Sequence, residues 1–487
     1  MKPYKITIFI FACIGLLALT AAFFPADGVD LQAMTLEFPT LNGMFAQDDS
    51  PLLSSESLSA EEVSVAEEVS VADTVRPTAM VDTLEQRLCS RFSLASAIRF
   101  PIVEGDTSYR YFDSFFAALN CADTSLVRVV HYGDSQLEED RITQVLRRRW
   151  QADFGGEGVG LIPLYQSVQS LTVSTQTAPQ PQRYMVFGPK SGRRTDSKRY
   201  GPMAQMAVID TAVTLNLQPR LKQTSIYSAH YFNRLTLLTS STAEMYVNAN
   251  GVKATIKPCT ALDCTTLQLP DSSTMLRLTV SGRGDVYGVS LNGETGVNVD
   301  NIPLRGCSGT IFSGIEAEQL KRYFSQTNTR LIIMQFGGNS IPYMTTDNAI
   351  KKYINTLVGQ VKFMQRCAPQ AKILFIGPSD MTTRIQGRMQ TYPYLSGFDR
   401  QLMQAIREAG FAYWSLFETM GGVGAMADWV QEGWAGSDYI HFTRKGATEV
   451  GERLYRAFDD AYRYYQYRQR QDKIEIPERP IPQLTSD

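Results

Sequence analysis

The chain has 487 residues, 47 Lys and Arg against 49 Asp and Glu, a formal net charge of −2 and three histidines. That length exceeds one ordinary domain, and so even a charge balance offers no broad basic field to a polyanion, so nucleic acid is excluded as an expected partner. No histidine lies near the cysteines at metal-ligand spacing, so neither a metal nor any other cofactor is expected.

Lys2 and Lys5 precede an apolar run from Ile6 to Phe24, long for a signal-peptide core and just long enough to cross a bilayer. Residues 1–25 therefore read as a signal peptide or, because Thr20-Ala21-Ala22 is a mediocre cleavage site, as an uncleaved N-terminal membrane anchor. Either way the chain is expected to be exported to the periplasm or cell envelope. Cys13 lies inside the run rather than after it, which argues against lipidation there. Residues 26–82 are acidic and serine-rich, with Glu61-Glu-Val-Ser-Val-Ala66 repeated at once over 67–72. Such a stretch buries too little apolar surface to offset its ordering entropy and reads as a disordered linker. The six remaining cysteines form an even set in an exported chain, and Cys259 and Cys264 are close enough in sequence to close a small loop.

Folded structure is expected from 83, with residues 83–170 as the first part of an α/β domain. An aromatic-rich helix from Tyr109 to Leu119 leads into the β-branched run around Val127, Val129 and Val130, a buried strand that stops at Gly133-Asp134-Ser135. Leu137, Ile142, Val145, Leu146 and Trp150 then keep helical spacing. Ser135 thus falls where a strand hands over to a helix, and the helix's unpaired N–H groups and dipole would face whatever its hydroxyl attacks. Alone, Gly-Asp-Ser also makes an ordinary turn. The glycine-rich loop from Phe154 to Gly160 lacks the Lys-Ser/Thr of a phosphate loop and reads as a turn lining the cleft.

Residues 171–301 change character. Alternating runs such as Ala207 to Leu217 and Met275 to Val280, separated by turn residues including Asn250-Gly251, predict an inserted β-sandwich. From 302 to 465 the α/β rhythm returns. Leu331 to Met334 is a strand ending at Gly337-Gly338-Asn339, a stripe from Ile350 to Met364 marks a long helix, and the strands Lys372 to Gly377 and Phe411 to Leu416 flank a helix stopped by Gly410. This order predicts right-handed crossovers and a three-layer, flavodoxin-like parallel sheet with ligands at the strands' carboxyl ends. Residues 466–487 are expected to form a flexible tail.

Near the end stands Ser437-Asp438-Tyr439-Ile440-His441. An imidazole that deprotonates a hydroxyl needs a carboxylate to fix its tautomer, and Asp-x-x-His on one turn supplies both. A histidine merely bonded to its neighbouring carboxylate would look the same, but a partner serine at the end of a strand favours the catalytic reading. With these blocks in view, the chain resembles the SGNH (GDSL-type) esterases and acyltransferases through Gly133-Asp134-Ser135, Gly337-Gly338-Asn339-Ser340 and Asp438-x-x-His441. Within that family it looks most like bacterial peptidoglycan O-acetylesterases, which carry a carbohydrate-binding-module-like sandwich at the same place; the loop from Met420 to Met426 resembles one in the same relatives, which implies that it borders the substrate.

The resemblance implies Ser135 as nucleophile, His441 as general base and Asp438 as its orienting partner. It implies an oxyanion hole from Ser135 N–H, a second-block glycine and the Asn339 amide. Gly306 is the choice for that glycine, with Gly309, Gly156 and Gly158 as alternatives. Ser340 replaces the family's commoner acidic residue, so that position carries no expected role. The expected activity is removal of O-acetyl groups from an envelope polysaccharide, peptidoglycan among them. Alternatives are acetyl transfer to a sugar hydroxyl by the same triad, and a non-catalytic glycan-binding protein. The partner in each case is an O-acetylated glycan, with the membrane added if the N-terminal segment is retained.

Overall fold

The computed structural model describes residues 98–104, 106–188, 192, 197–220 and 230–471, together with Val29–Asp30 and Thr35–Leu36. These last two pairs form a short antiparallel ladder where a linker without structure is expected. They belong to a unit of residues 1–76, separate from residues 77–487. The export segment, the rest of the linker, Cys13 and Cys89 lie outside the described residues. No helix among the described residues is long and apolar enough to cross a membrane.

In the larger unit the central sheet is built from β1 (Ile98–Arg99), β2 (Leu126–Gly133), β3 (Gly296–Pro303), β4 (Thr329–Gln335), β5 (Lys372–Ile376) and β6 (Ala412–Trp414), in the spatial order β3-β2-β4-β5-β6-β1. All neighbours run parallel except β1, which pairs antiparallel at the edge. Side chains alternate between two cores, as a strand's period of two requires. Val130 and Tyr132 of β2 join the α3 (Ala317–Gln326), α4 (Asp347–Cys367) and α5 (Leu395–Glu408) face. Val127 and Val129 join the opposite face, under α1 (Asp113–Leu119), α2 (Thr143–Phe154) and α6 (Arg444–Gln471). Helices on both faces bury β2 almost throughout, which is why it reads as an unbroken apolar strand rather than an alternating one.

Register aligns the strand ends. Gly133 of β2 sits opposite Pro303 of β3 and Gln335 of β4. Because the chain passes from β3 on one side of β2 to β4 on the other, the strand order reverses at β2, and the crevice lies beyond Gly133.

Residues 160 to 292 build two antiparallel sheets. One orders the strands Cys259–Ser273, Phe232–Ser241, Gly284–Asn292, Gln205–Ile209 and Gln182–Met185, with Gly160–Ile162 added beside Gly284–Asn292. The other orders Val252–Ile256, Met245–Ala249, Leu276–Gly282, Val213–Pro219 and Val173–Ala178. Apolar residues from both close over one core, including Leu215, Leu237, Leu278 and Val289. The inserted segment is offset from the expected 171–301. Gly160–Ile162 already belongs to it, and residues 296–301 instead begin β3, where they hydrogen-bond in parallel with β2. A glycine loop and a β-branched run give no clue as to which sheet they will join.

The junction is held by Arg128 of β2, fully buried with Asp300 of β3 at 2.7 Å. Its guanidinium also reaches Asn298 of β3 and Ser290 and Asn292 of the sandwich, and Asp300 accepts from the Leu161 N–H.

Three further expectations are corrected. The helix after Ser135 is interrupted: Ser135–Asp140 is a 3₁₀ turn kinked at Glu138 and Glu139, and α2 starts only at Thr143. Asp140 is drawn out of line by its ion pair with Arg147 at 2.6 Å and by the Thr172 hydroxyl. The expected tail instead continues α6 through residue 471, pinned by the two-pronged contact of Arg468 with Asp113, and residues 472–487 lie outside the described residues. Cys259 and Cys264 are free, as are Cys121, Cys307 and Cys367. Cys264 pairs with Leu238 and Cys259 with Ser241, three residues apart on the neighbouring strand, which holds the two cysteines about 10 Å apart, beyond disulfide reach.

Candidate active site

Ser135 stands two residues past the end of β2, on the first position of the 3₁₀ turn. Its Oγ lies 2.8 Å from His441 Nε2. The other ring nitrogen, Nδ1, lies 2.8 Å from Asp438 Oδ2, while Asp438 Oδ1 accepts from the N–H groups of Ile440 and His441 at 3.0 Å each. Partial burial alone would raise the Asp438 carboxyl, but the bonds from the His441 ring and from these two N–H groups outweigh it and hold it below the usual carboxylate range. An ionised Asp438 keeps the proton on Nδ1 and leaves Nε2 to accept from the serine.

The loop bearing His441 is fixed by residues the sequence did not single out. Gln136 donates through its amide to the Ile440 carbonyl at 2.7 Å and accepts from the Phe442 N–H at 3.3 Å. Arg141 donates to the Phe442 carbonyl at 2.9 Å and to the Ser135 carbonyl at 3.4 Å. These two side chains tie the turn that bears Ser135 to the turn that bears His441. The adjacency of Gln136 to the Gly-Asp-Ser block was the only available signal.

Asp134 caps the serine's turn by accepting from the Gln136 N–H at 3.0 Å. Burial pushes its carboxyl up to about 6, against the opposing pull of that N–H and of His441. Its second oxygen accepts from Asn339 Nδ2 at 3.2 Å, and the same nitrogen donates to the Cys307 carbonyl at 3.1 Å. Both Asn339 amide hydrogens are therefore engaged, so an oxyanion beside Ser135 must compete with Cys307 O for one of them.

Of the four candidate glycines, only Gly306 lines the Ser135 cavity, together with Asn339 and His441. It has φ +74°, and open space surrounds the place where a Cβ would stand. Gly309 packs against Phe336 and Leu357, whereas Gly156 and Gly158 lie against the backbone of Val297 and Leu291. Val297 pairs with Val127, at the opposite end of the sheet from Ser135, so the glycine loop lies away from the serine rather than lining its cleft. The N–H groups of Ser135 and Gly306 make no hydrogen bond to another protein group among the described residues. The Met420 to Met426 loop is also absent from the cavity wall. Met420 and Met426 are buried in the core beside Trp429, and Asp380 accepts from the Met426 N–H.

Of the other histidines, His131 is buried in β2, against Thr143 at 3.0 Å, and burial pushes it down to about 3. It stays neutral and away from the cavity. No group of three or more His, Cys, Asp or Glu among the described residues could hold a metal ion.

Residues 271–448 match the model of the GDSL-like Lipase/Acylhydrolase family. The match takes in Gly306, Asn339, Asp438 and His441 but not Ser135, which precedes the inserted sheets in the chain. No curated protein matches the chain. Among solved structures, one titled "Peptidoglycan O-acetylesterase in action, 5 min" aligns over 72% of this chain and 96% of its own at 19% identity, with a TM-score of 0.59. Two family two carbohydrate esterases, from Cellvibrio japonicus and Clostridium thermocellum, align over 60% and 54% of this chain and 99% and 96% of theirs. Their identities are 14% and 11%, with TM-scores of 0.25 each. The chain has the SGNH hydrolase fold, and its residues 271–448 are similar to GDSL-type acylhydrolase sequence.

Proposed function

We propose that this protein is an exported serine esterase that removes O-acetyl groups from a cell-envelope polysaccharide, peptidoglycan being the first candidate. The observation that carries this reading is the unbroken hydrogen-bonded line from Ser135 through His441 to Asp438, opening on a cavity shared with Gly306 and Asn339. The solved structure of a peptidoglycan O-acetylesterase, similar over most of both chains, supports the choice of substrate. The apolar N-terminal run supports export, and it also serves as an inner-membrane anchor if it is retained.

In the reaction His441 Nε2 takes the Ser135 proton as the hydroxyl oxygen attacks the acetyl carbonyl. The oxyanion is met by the N–H groups of Ser135 and Gly306 and by Asn339, each donor worth on the order of 3 kcal/mol of transition-state stabilisation. His441 then returns its proton to the sugar oxygen, which leaves as the alcohol. Water, deprotonated by His441, attacks the acetyl-serine; the acyl–Oγ bond breaks, His441 returns the proton to the Ser135 oxygen, and acetate is released.

The test is acetate release from purified O-acetylated peptidoglycan, followed by mass spectrometry with and without an added glycan acceptor. Release of free acetate without acceptor supports hydrolysis. Acetyl appearing only on the acceptor overturns it in favour of transfer, and no reaction with either, together with a Ser135 inert to a serine-directed phosphonate, overturns enzymatic function.

A further inference from the structure

Beside the serine cavity lies a second one, of about 320 Å³, between the kinked turn after Ser135 and the first strands of the inserted sheets. Arg305 lines both cavities, and the few residues from Pro303 to Gly306 lead from the wall of one to the oxyanion glycine of the other. A ligand lying across Arg305 therefore reaches both at once.

Four features of this second cavity define what it takes. Tyr165 and Phe187 give it aromatic surface. The Arg183 guanidinium is held 5.5 Å over the Tyr165 ring and bonded to the Ser167 hydroxyl, with no carboxylate paired to it among the described residues. Arg305, three-quarters exposed, has only a loose partner in Glu138 at 3.6 Å. Gln205 adds a polar side chain to the wall. Aromatic surface suits the apolar face of a pyranose, a polar wall residue suits its hydroxyls, and a stacked, unpaired guanidinium is a preorganised fork for a carboxylate.

We propose that this cavity is a subsite for a pyranose whose substituent carries a carboxylate, adjacent to the acetylated sugar, so that the substrate is an anionic glycan. Its place in the substrate rests on the esterase reading. Its binding does not.

Calorimetry on the full chain carrying Ser135→Ala separates the two. The probes are a disaccharide containing N-acetylmuramic acid with its free lactyl carboxylate, the same disaccharide reduced to the alcohol, and one bearing a stem peptide. The expected result is at least tenfold weaker binding after reduction, with Arg183→Met abolishing that discrimination and Tyr165→Ala weakening both forms. If the peptide-bearing form binds as tightly and also loses affinity with Arg183→Met, the carboxylate comes from the peptide and the subsite stands. Equal affinity for the acid and alcohol forms overturns it. So does a wild-type kcat/KM that climbs steadily from 4-nitrophenyl acetate to the octanoate, which would make the cavity an acyl-chain pocket. Charge-selective binding alongside an inert wild-type Ser135 would keep the subsite and remove the esterase.

Discussion

The Ser135 hydroxyl and the His441 ring, 306 residues apart along the chain, face each other at 2.8 Å. If that contact is the proton-transfer step, Ser135→Ala and His441→Ala each lower kcat by about 10⁴-fold or more, and neither disturbs the fold. Hydrolysis of 4-nitrophenyl acetate with circular dichroism as the folding control checks both. Near-wild-type turnover in either variant ends the assignment.

Asn339 is bonded to Asp134 and to the Cys307 carbonyl, so its value as an oxyanion donor depends on one of those hydrogens turning to the reacting oxygen. Asn339→Ala is expected to reduce kcat by about 10²- to 10³-fold with little change in KM. A loss confined to KM would show that the amide only shapes the cavity.

Gln136 never meets the reacting atoms but grips both sides of His441. Gln136→Ala leaves the Phe442 N–H buried without its acceptor, at a cost of about 1–3 kcal/mol in urea unfolding. Turnover should drop about tenfold with the shape of the pH profile retained, because the base is displaced rather than replaced. An unchanged kcat would make the clamp purely structural.

Burial raises Asp134 from its ordinary 3.8 to about 6. Between those two values the folded chain holds a proton that the unfolded chain has released. This carboxyl's contribution to stability therefore falls as pH rises from about 4 to about 6, by on the order of 1–3 kcal/mol, and is constant above that window. Protonation also removes an acceptor facing Gln136 N–H or Asn339, so activity declines on the acid side of the same interval. Carbon-13 NMR titration of the Asp134 carboxyl checks the midpoint, and a value near 4 would refute it.

What was legible in the sequence depended on whether a signal was local. Buried parallel strands announce themselves as β-branched runs, and the end of β2 at Gly133 is visible because glycine and aspartate break the pattern. That Ser135, Gly306 and Asn339 line one cavity follows from register, since Gly133, Pro303 and Gln335 lie abreast, and no single segment encodes register between strands this distant. The kink at Glu138 and Glu139 was hidden because helical spacing of Leu137, Ile142 and Leu146 survives it, whereas its cause, Asp140 held by Arg147 and Thr172, is tertiary. The polar tail of α6 likewise looked solvated because Asp113, which captures Arg468, lies more than three hundred residues upstream.

The Arg128 guanidinium, sealed between β2, β3 and the sandwich strand Gly284–Asn292, makes the two lobes inseparable. Excising residues 160 to 292 to obtain a minimal enzyme would strip this cation of two of its oxygen partners, Ser290 and Asn292, and open the strand behind Ser135 to solvent. Miniaturisation of this protein must begin by retiring Arg128 and Asp300 together in favour of an apolar pair.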